Sequence, residues 1–189
     1  MLAKIVEPLI EWYEENHRIL PWRASKNPYY IWISEIMLQQ TRVEAVRPFF
    51  ERFIKVLPKV EDVAVCPEEQ LLKLWEGLGY YNRVRNIQKA AVRIVEEYGG
   101  RLPADYEKLK ELPGIGNYTA GAVASIAYDL PVPAVDGNVL RVYARIMEDD
   151  SDILKQSVKT KVENEFLKVM PGSRSGTFNQ ALMELGAMV

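Results

Sequence analysis

What most limits the folds open to this chain is the spacing of its apolar residues. They recur at helical intervals almost throughout, as in Val6, Leu9, Ile10 and Tyr13 near the start and Val43, Val46, Phe49, Phe50 and Phe53 further on. No segment alternates apolar and polar residues as a half-buried strand does. Breakers cut the pattern at Pro21, Pro28, Pro58, Pro67, Gly77 with Gly79, Gly99 and Gly100 with Pro103, Pro113 with Gly114, Pro131 with Pro133, and Pro171 with Gly172. The spacing predicts an all-α protein of about ten short helices. The alternating prolines of "PVPAV" at residues 131–135 force extended backbone and mark the expected lobe boundary. One helical lobe is expected over 27–134, and a second from 1–26 plus 135–189.

Composition narrows the function classes. With 189 residues, 48% of them hydrophobic, the chain can fill one core or two small lobes. The net charge of −2 gives no global pull toward nucleic acid. Arg83, Arg85, Lys89, Arg93 and Arg101 cluster in "NRVRNIQKAAVRIVEEYGGRL", as either a local basic face or a solvated helix side. No apolar run approaches the roughly 20 residues needed to span a bilayer. The acid-studded N-terminus is unlike a signal peptide, so no membrane partner and a cytoplasmic location are expected, nucleoid-associated if the source is prokaryotic. Cys66, the single cysteine, permits neither an intrachain disulfide nor a thiolate metal cage and is expected as a small buried apolar residue.

Four stretches could carry chemistry. In "LPGIGNYTAGA" two glycines flank Ile115 before a helical pattern. Such a turn either joins two helices or offers its free N–H groups to a phosphate. In "YIWISEIMLQQTRVE", Glu35 lies in a helix apolar on nearly every side, with Gln39 on the same face and Gln40 beside it. It is either the polar stripe of an amphipathic helix or a carboxyl whose raised pKa suits a general acid. In "PAVDGNVLRV", Asp136 is placed to cap the following helix. A carboxylate so held is expected to keep a low pKa and stay ionised, suited to stabilising a cation. Glu35 and Asp136 would then have opposed shifts, the arrangement that breaks glycosidic bonds through an oxocarbenium-like state. In "WEGLGYYNRVRN" a glycine turn presents Tyr80 and Tyr81, one expected to pack inward and one to face out as a wedge for nucleic acid.

Together with "HRILPWR" and "FNQALMELGAMV", these segments resemble the helix-hairpin-helix DNA glycosylases over nearly the whole chain, and within them the adenine-specific mismatch branch (MutY type). The hairpin, at about 105–127, is shared by many DNA-binding proteins. "SEIMLQQT" with "GLGYY" and "VDGNV" is specific to the adenine branch. The resemblance implies two all-helical lobes with the active site in the cleft between them. It also implies a substrate, adenine mispaired with 8-oxoguanine or guanine in duplex DNA, flipped out before its N-glycosidic bond is cut.

Carried over by that resemblance, Glu35 protonates adenine at N7 and Asp136 stabilises the sugar cation, supported by Tyr118 and Asn138. Gln180 with Arg18, Trp22 and Arg23 lines the base pocket. Gln39, Gln40 and Tyr80 fill or wedge the duplex, and Gly114, Gly116, Asn117 and Tyr118 meet a backbone phosphate. Family members that also cut the strand carry a lysine where this chain has Tyr118, which implies a monofunctional enzyme. The resemblance also leaves open a cation at hairpin carbonyls, here those near Leu112 and Ile115.

Two departures accompany the resemblance. The family follows "ELGAMV" with four cysteines that bind a four-iron four-sulfur cluster, and then with a domain that reads 8-oxoguanine. Neither is present here, so the chain is expected as a truncated, monomeric catalytic core with no cofactor of its own. Three other readings stay open: a thymine or other mismatch glycosylase, a non-catalytic helix-hairpin-helix module, and a helical scaffold with no nucleic-acid role.

Overall fold

The computed structural model describes all 189 residues. It contains no strand. Its helices are α1 (Val6–Asn16), α2 (Pro28–Leu38), α3 (Val43–Val56), α4 (Val60–Val65), α5 (Glu68–Trp75), α6 (Asn82–Tyr98), α7 (Tyr106–Lys110), α8 (Asn117–Tyr128), α9 (Gly137–Met147), α10 (Gln156–Leu167) and α11 (Ser175–Met188). Short 3-10 turns occupy Leu2–Ile5 and Pro21–Arg23. No helix is long and apolar enough to cross a membrane.

The breakers act by local chemistry. Helix α2 starts with Pro28 in its first turn, where a missing N–H costs nothing, and Asn27 Oδ1 accepts the Tyr29 N–H at 2.9 Å. Helix α6 stops at Gly99, which takes the left-handed conformation with φ 60°, while the Gly100 N–H donates to the Ile94 carbonyl at 3.0 Å.

The chain divides into two compact units: a central one, Ile19–Thr119, and a terminal one, Met1–Arg18 with Ala120–Val189. In the central unit α2 packs on α3, α3 on α5, and both α4 and α5 on α6. Trp32, Phe53, Trp75, Ile87 and Ile94 are fully buried there, each worth about 1.5–3 kcal/mol or more of burial. In the terminal unit α11 packs on α1 and α9, and α10 on α9, around Ile10, Tyr143, Phe166, Phe178 and Leu182.

The division falls at 119/120 within α8, rather than at the "PVPAV" stretch around 134/135. Residues 120–134 are tied to α11 by hydrogen bonds. Asp129 accepts the N–H groups of Arg174 at 2.9 Å and Gly176 at 3.2 Å. Asn179 donates to Ser125 Oγ at 2.7 Å and the Val132 carbonyl at 2.9 Å, and accepts the Ala134 N–H at 3.1 Å. Gly176 completes the seam, because a Cβ there would lie 2.5 Å from the Ser125 carbonyl oxygen.

Candidate active site and nucleic-acid surface

In the central unit, α2 is buried from Ile31 to Met37, and Glu35 within that run is only 6% exposed. Ser34, the other polar residue there, satisfies itself by donating to the Ile31 carbonyl at 2.8 Å. Glu35 is instead met by a distant residue. Tyr118 Oη donates to Glu35 Oε2 at 2.6 Å, a short hydrogen bond. Tyr118 is the second residue of α8, so the turn before α8 aims the phenol. Gln39 Nε2 also reaches Thr119 Oγ1 at 3.5 Å.

That turn is the hairpin. The Leu112 carbonyl, one of the expected cation contacts, accepts the Ile115 N–H at 3.1 Å, and Ile115 is buried. Gly114 has φ +77°, and a Cβ on it would stand 2.8 Å from Asn86 Cβ, so the position needs glycine twice over. Gly116 differs. It is exposed, as is Asn117, and a Cβ there would meet nothing within 4 Å. Open space therefore lies beside Gly116, at the start of α8, where an incoming phosphate would need it.

Gln39, Gln40, Tyr80, Tyr81, Asn82 and Arg83 line an open pocket of about 340 Å³. Two of them have strained backbones: Gln40 has φ 59° and Tyr80 φ 48°, in a region that costs non-glycine residues roughly 1–3 kcal/mol. The expectation of one tyrosine in and one out is corrected, since Tyr80 is 65% and Tyr81 39% exposed. The interior place is taken by Leu78, and the Trp75 indole N–H closes the turn by donating to the Gly79 carbonyl at 3.0 Å.

Arg83 departs from the basic-face reading as well. It turns inward onto backbone carbonyls, while Arg85 and Arg93 lie on the surface paired with Glu68 and Glu97. Arg83 Nε and Trp32 Nε1 have no partner in the protein, and both residues line a cavity of about 60 Å³ with Gln39, Asn86 and Gly114. That is room for a bridging water.

In the terminal unit, Asp136 caps α9. Its Oδ1 accepts the Val139 N–H at 2.9 Å and its Oδ2 accepts from Asn138 Nδ2 at 2.8 Å. Asn138 Oδ1 in turn accepts from Arg141, whose Nη2 also donates to the Gly186 carbonyl at 3.1 Å. The expected low pKa is corrected. Burial pushes the Asp136 carboxyl above its ordinary value, outweighing the downward pull of the Val139 and Asn138 hydrogen bonds and of Arg141.

The remaining pocket candidates are held by structural partners. Arg18 grips Glu184 in a fork, Nε to Oε1 at 2.7 Å and Nη2 to Oε2 at 3.0 Å, with Glu184 fully buried. Gln180 accepts from Tyr13 Oη at 3.2 Å and donates to the Gly176 carbonyl at 3.3 Å. In the central unit, Trp22 is buried with its ring edge-on to Phe50 at 5.4 Å, and Arg23 follows it half-buried on the same 3-10 turn. Glu184, Arg141 and Arg83 were missed by sequence reasoning. Arg83 and Arg141 lie on amphipathic helices where a charge reads as solvated, and only their partners reveal them; Glu184 lies on a helix buried over most of its length, where Arg18 meets it.

No group of three or more His, Cys, Asp or Glu side chains is placed to hold a metal ion. Cys66 is a lone buried thiol, pushed up in pKa by that burial. An iron-sulfur cluster, as the resemblance implies for longer relatives, therefore does not fit the residues present.

Residues 33–171 match the family model described as HhH-GPD superfamily base excision DNA repair protein. Over 96% of its length the chain is 43% identical to the adenine DNA glycosylase of Mus musculus, of which it covers 37%. It is 38% identical to that of Buchnera aphidicola subsp. Acyrthosiphon pisum, of which it covers 52%. The chain thus spans about a third to a half of the length of these curated relatives. Among solved structures, a thermostable thymine-DNA glycosylase superposes with TM-score 0.85 at 26% identity, covering 99% of this chain and 87% of that one. A trapped endonuclease III–DNA covalent intermediate superposes with TM-score 0.78 at 27% identity, covering 96% and 83%. On sequence and fold alike, the chain belongs to the HhH-GPD superfamily of base excision DNA repair proteins.

Proposed function

We propose that this chain is a monofunctional DNA glycosylase that removes adenine mispaired with 8-oxoguanine or guanine in duplex DNA. The observation that carries the reading is the Tyr118–Glu35 hydrogen bond inside an otherwise apolar helix. A structural helix has no use for a buried carboxyl tied to a residue 83 positions away. An acid catalyst does, because desolvation and a fixed partner hold the proton donor in one place.

In this reading Gln40 and Tyr80 enter the duplex and adenine is extruded. Backbone N–H groups at Gly116 to Tyr118 hold a backbone phosphate, a contact that fixes register and carries no sequence information. A cation at the Leu112 and Ile115 carbonyls would brace that turn. Glu35 donates its proton to adenine N7, and the C1′–N9 bond breaks with its electron pair going to the base. The Asp136 carboxylate balances the positive charge left on the sugar, and water adds at C1′, giving its proton to the Glu35 carboxylate, to leave an abasic site. Tyr118, a phenol, offers no amine for a Schiff base, so the strand stays intact. The adenine preference rests on "SEIMLQQT" and on the relatives named adenine DNA glycosylase.

The thymine-DNA glycosylase at TM-score 0.85 keeps a second reading, thymine excision from a G:T mismatch. A single-turnover assay on A:8-oxoG, A:G and T:G duplexes separates the two. We expect abasic product from the adenine duplexes, with strand breaks only after alkali. A folded, DNA-binding chain that yields no abasic product removes the enzyme reading, and product from T:G alone transfers it to thymine.

A further inference from the structure

Helix α2 ends where its last carbonyls need outside donors, and the side chain that supplies them belongs to another helix. Arg83, in the first turn of α6, donates through Nη1 to the carbonyls of Ile36 at 2.9 Å, Met37 at 3.2 Å and Gln39 at 2.7 Å. Through Nη2 it donates to the carbonyls of Leu78 at 3.1 Å and Gly79 at 3.4 Å. One planar guanidinium therefore joins the strained Gln39–Gln40 bend to the turn that carries Tyr80. It also sits 5.4 Å from the ring centroids of both Trp75 and Tyr80.

Left-handed backbone at Gln40 and Tyr80 persists only where the surroundings over-determine it. The carbonyls Arg83 holds include those of the residue before Gln40 and the residue before Tyr80. A single side chain thus anchors both strained positions.

We infer that Arg83 is the positioning residue of the wedge, fixing Gln40 and Tyr80 at their shared pocket so that both enter the duplex in register. The inference rests on the proposed DNA reading, and it assigns Arg83 no contact with the reacting atoms. A lysine keeps the charge, but its single ammonium cannot reach two sets of carbonyls that a fork spans.

The test is R83K on an A:8-oxoG duplex with 2-aminopurine next to the target adenine, a probe that brightens when its neighbour leaves the stack. Brightening is normalised to bound complex by anisotropy, so any unfolded fraction drops out. We expect R83K to bind yet brighten the probe less than wild type. Its single-turnover excision rate should fall about 100-fold, the scale of a misplacement of about 1 Å. Q40N, whose side chain tolerates left-handed backbone better, should recover part of that loss in the double variant.

R83K brightening the bound probe as wild type does, or a Q40N effect that merely adds to that of R83K, overturns the inference. Wild type that brightens the probe but cuts nothing removes the excision reading and leaves the inference standing. Wild type that binds without brightening removes both.

Discussion

Glu35 and Asp136 are both carboxyls withdrawn from solvent, one in each unit, and they are held by opposite means. Glu35 is the second polar residue in a buried helical run, and its oxygen is met by Tyr118, 83 residues away. Asp136 is met by its own neighbours, the N–H of Val139 and the amide of Asn138. The first arrangement exists only when the tertiary fold has formed. The second belongs to a helix start and is encoded within four residues. Function placed on a long-range contact can be lost with little effect on local structure, whereas function placed on a cap is tied to the stability of the helix it starts.

The largest break in this comparison comes from Glu35→Gln. It removes the proton while keeping shape and burial, and the excision rate should fall by about 10²–10⁴-fold, the usual worth of a general acid. Thermal unfolding should stay within a few degrees of wild type. Full activity in single-turnover assays would end the proposed role. Asp136→Asn comes next, with a loss of about 10²–10³-fold for removing a charge aimed at a developing cation. Asparagine caps helices as well as aspartate does, so α9 should be retained in far-UV circular dichroism. Loss of α9 together with activity would mean that the aspartate is structural only.

The same contrast explains what the sequence shows. The all-helical class was legible from spacing, and so were caps such as Asn27 and Asp136, because their partners lie within a turn. Glu35 was legible by its oddity in an apolar run. What was not legible depended on distance. Tyr80 and Tyr81 both face out because Leu78 and the Trp75–Gly79 bond occupy the inside of the turn. Arg83 read as one of five basic residues until its five carbonyl acceptors were placed around it. The "PVPAV" stretch read as a boundary because prolines mark extended backbone, but Asn179 and Asp129 bind 120–134 to α11.

A smaller effect sharpens the long-range half of the pair. Tyr118→Phe deletes the O–H that meets Glu35 and leaves the ring, so excision should slow by up to about 10-fold, as one ordinary hydrogen bond is worth about 0.5–1.5 kcal/mol. The pH–rate profile should move with it, because the lost donor acts on the titrating group. A slower rate with an unmoved profile would assign Tyr118 to packing alone.

The smallest effect concerns the cap, and its sign separates burial from capping. Burial raises the Asp136 carboxyl above its ordinary 3.8, so the folded chain binds that proton more tightly than the unfolded chain does. The favourable contribution is therefore fully present below the unfolded value and is lost as pH rises through the folded one. Asp136→Asn removes the titration while keeping an equivalent cap. Its melting temperature relative to wild type should climb as pH rises above the ordinary carboxylate value, and stop climbing once the folded Asp136 carboxyl is ionised. If that difference falls with rising pH instead, the helix N-terminus outweighs burial at Asp136, and the ionised carboxylate stabilises the fold that it serves.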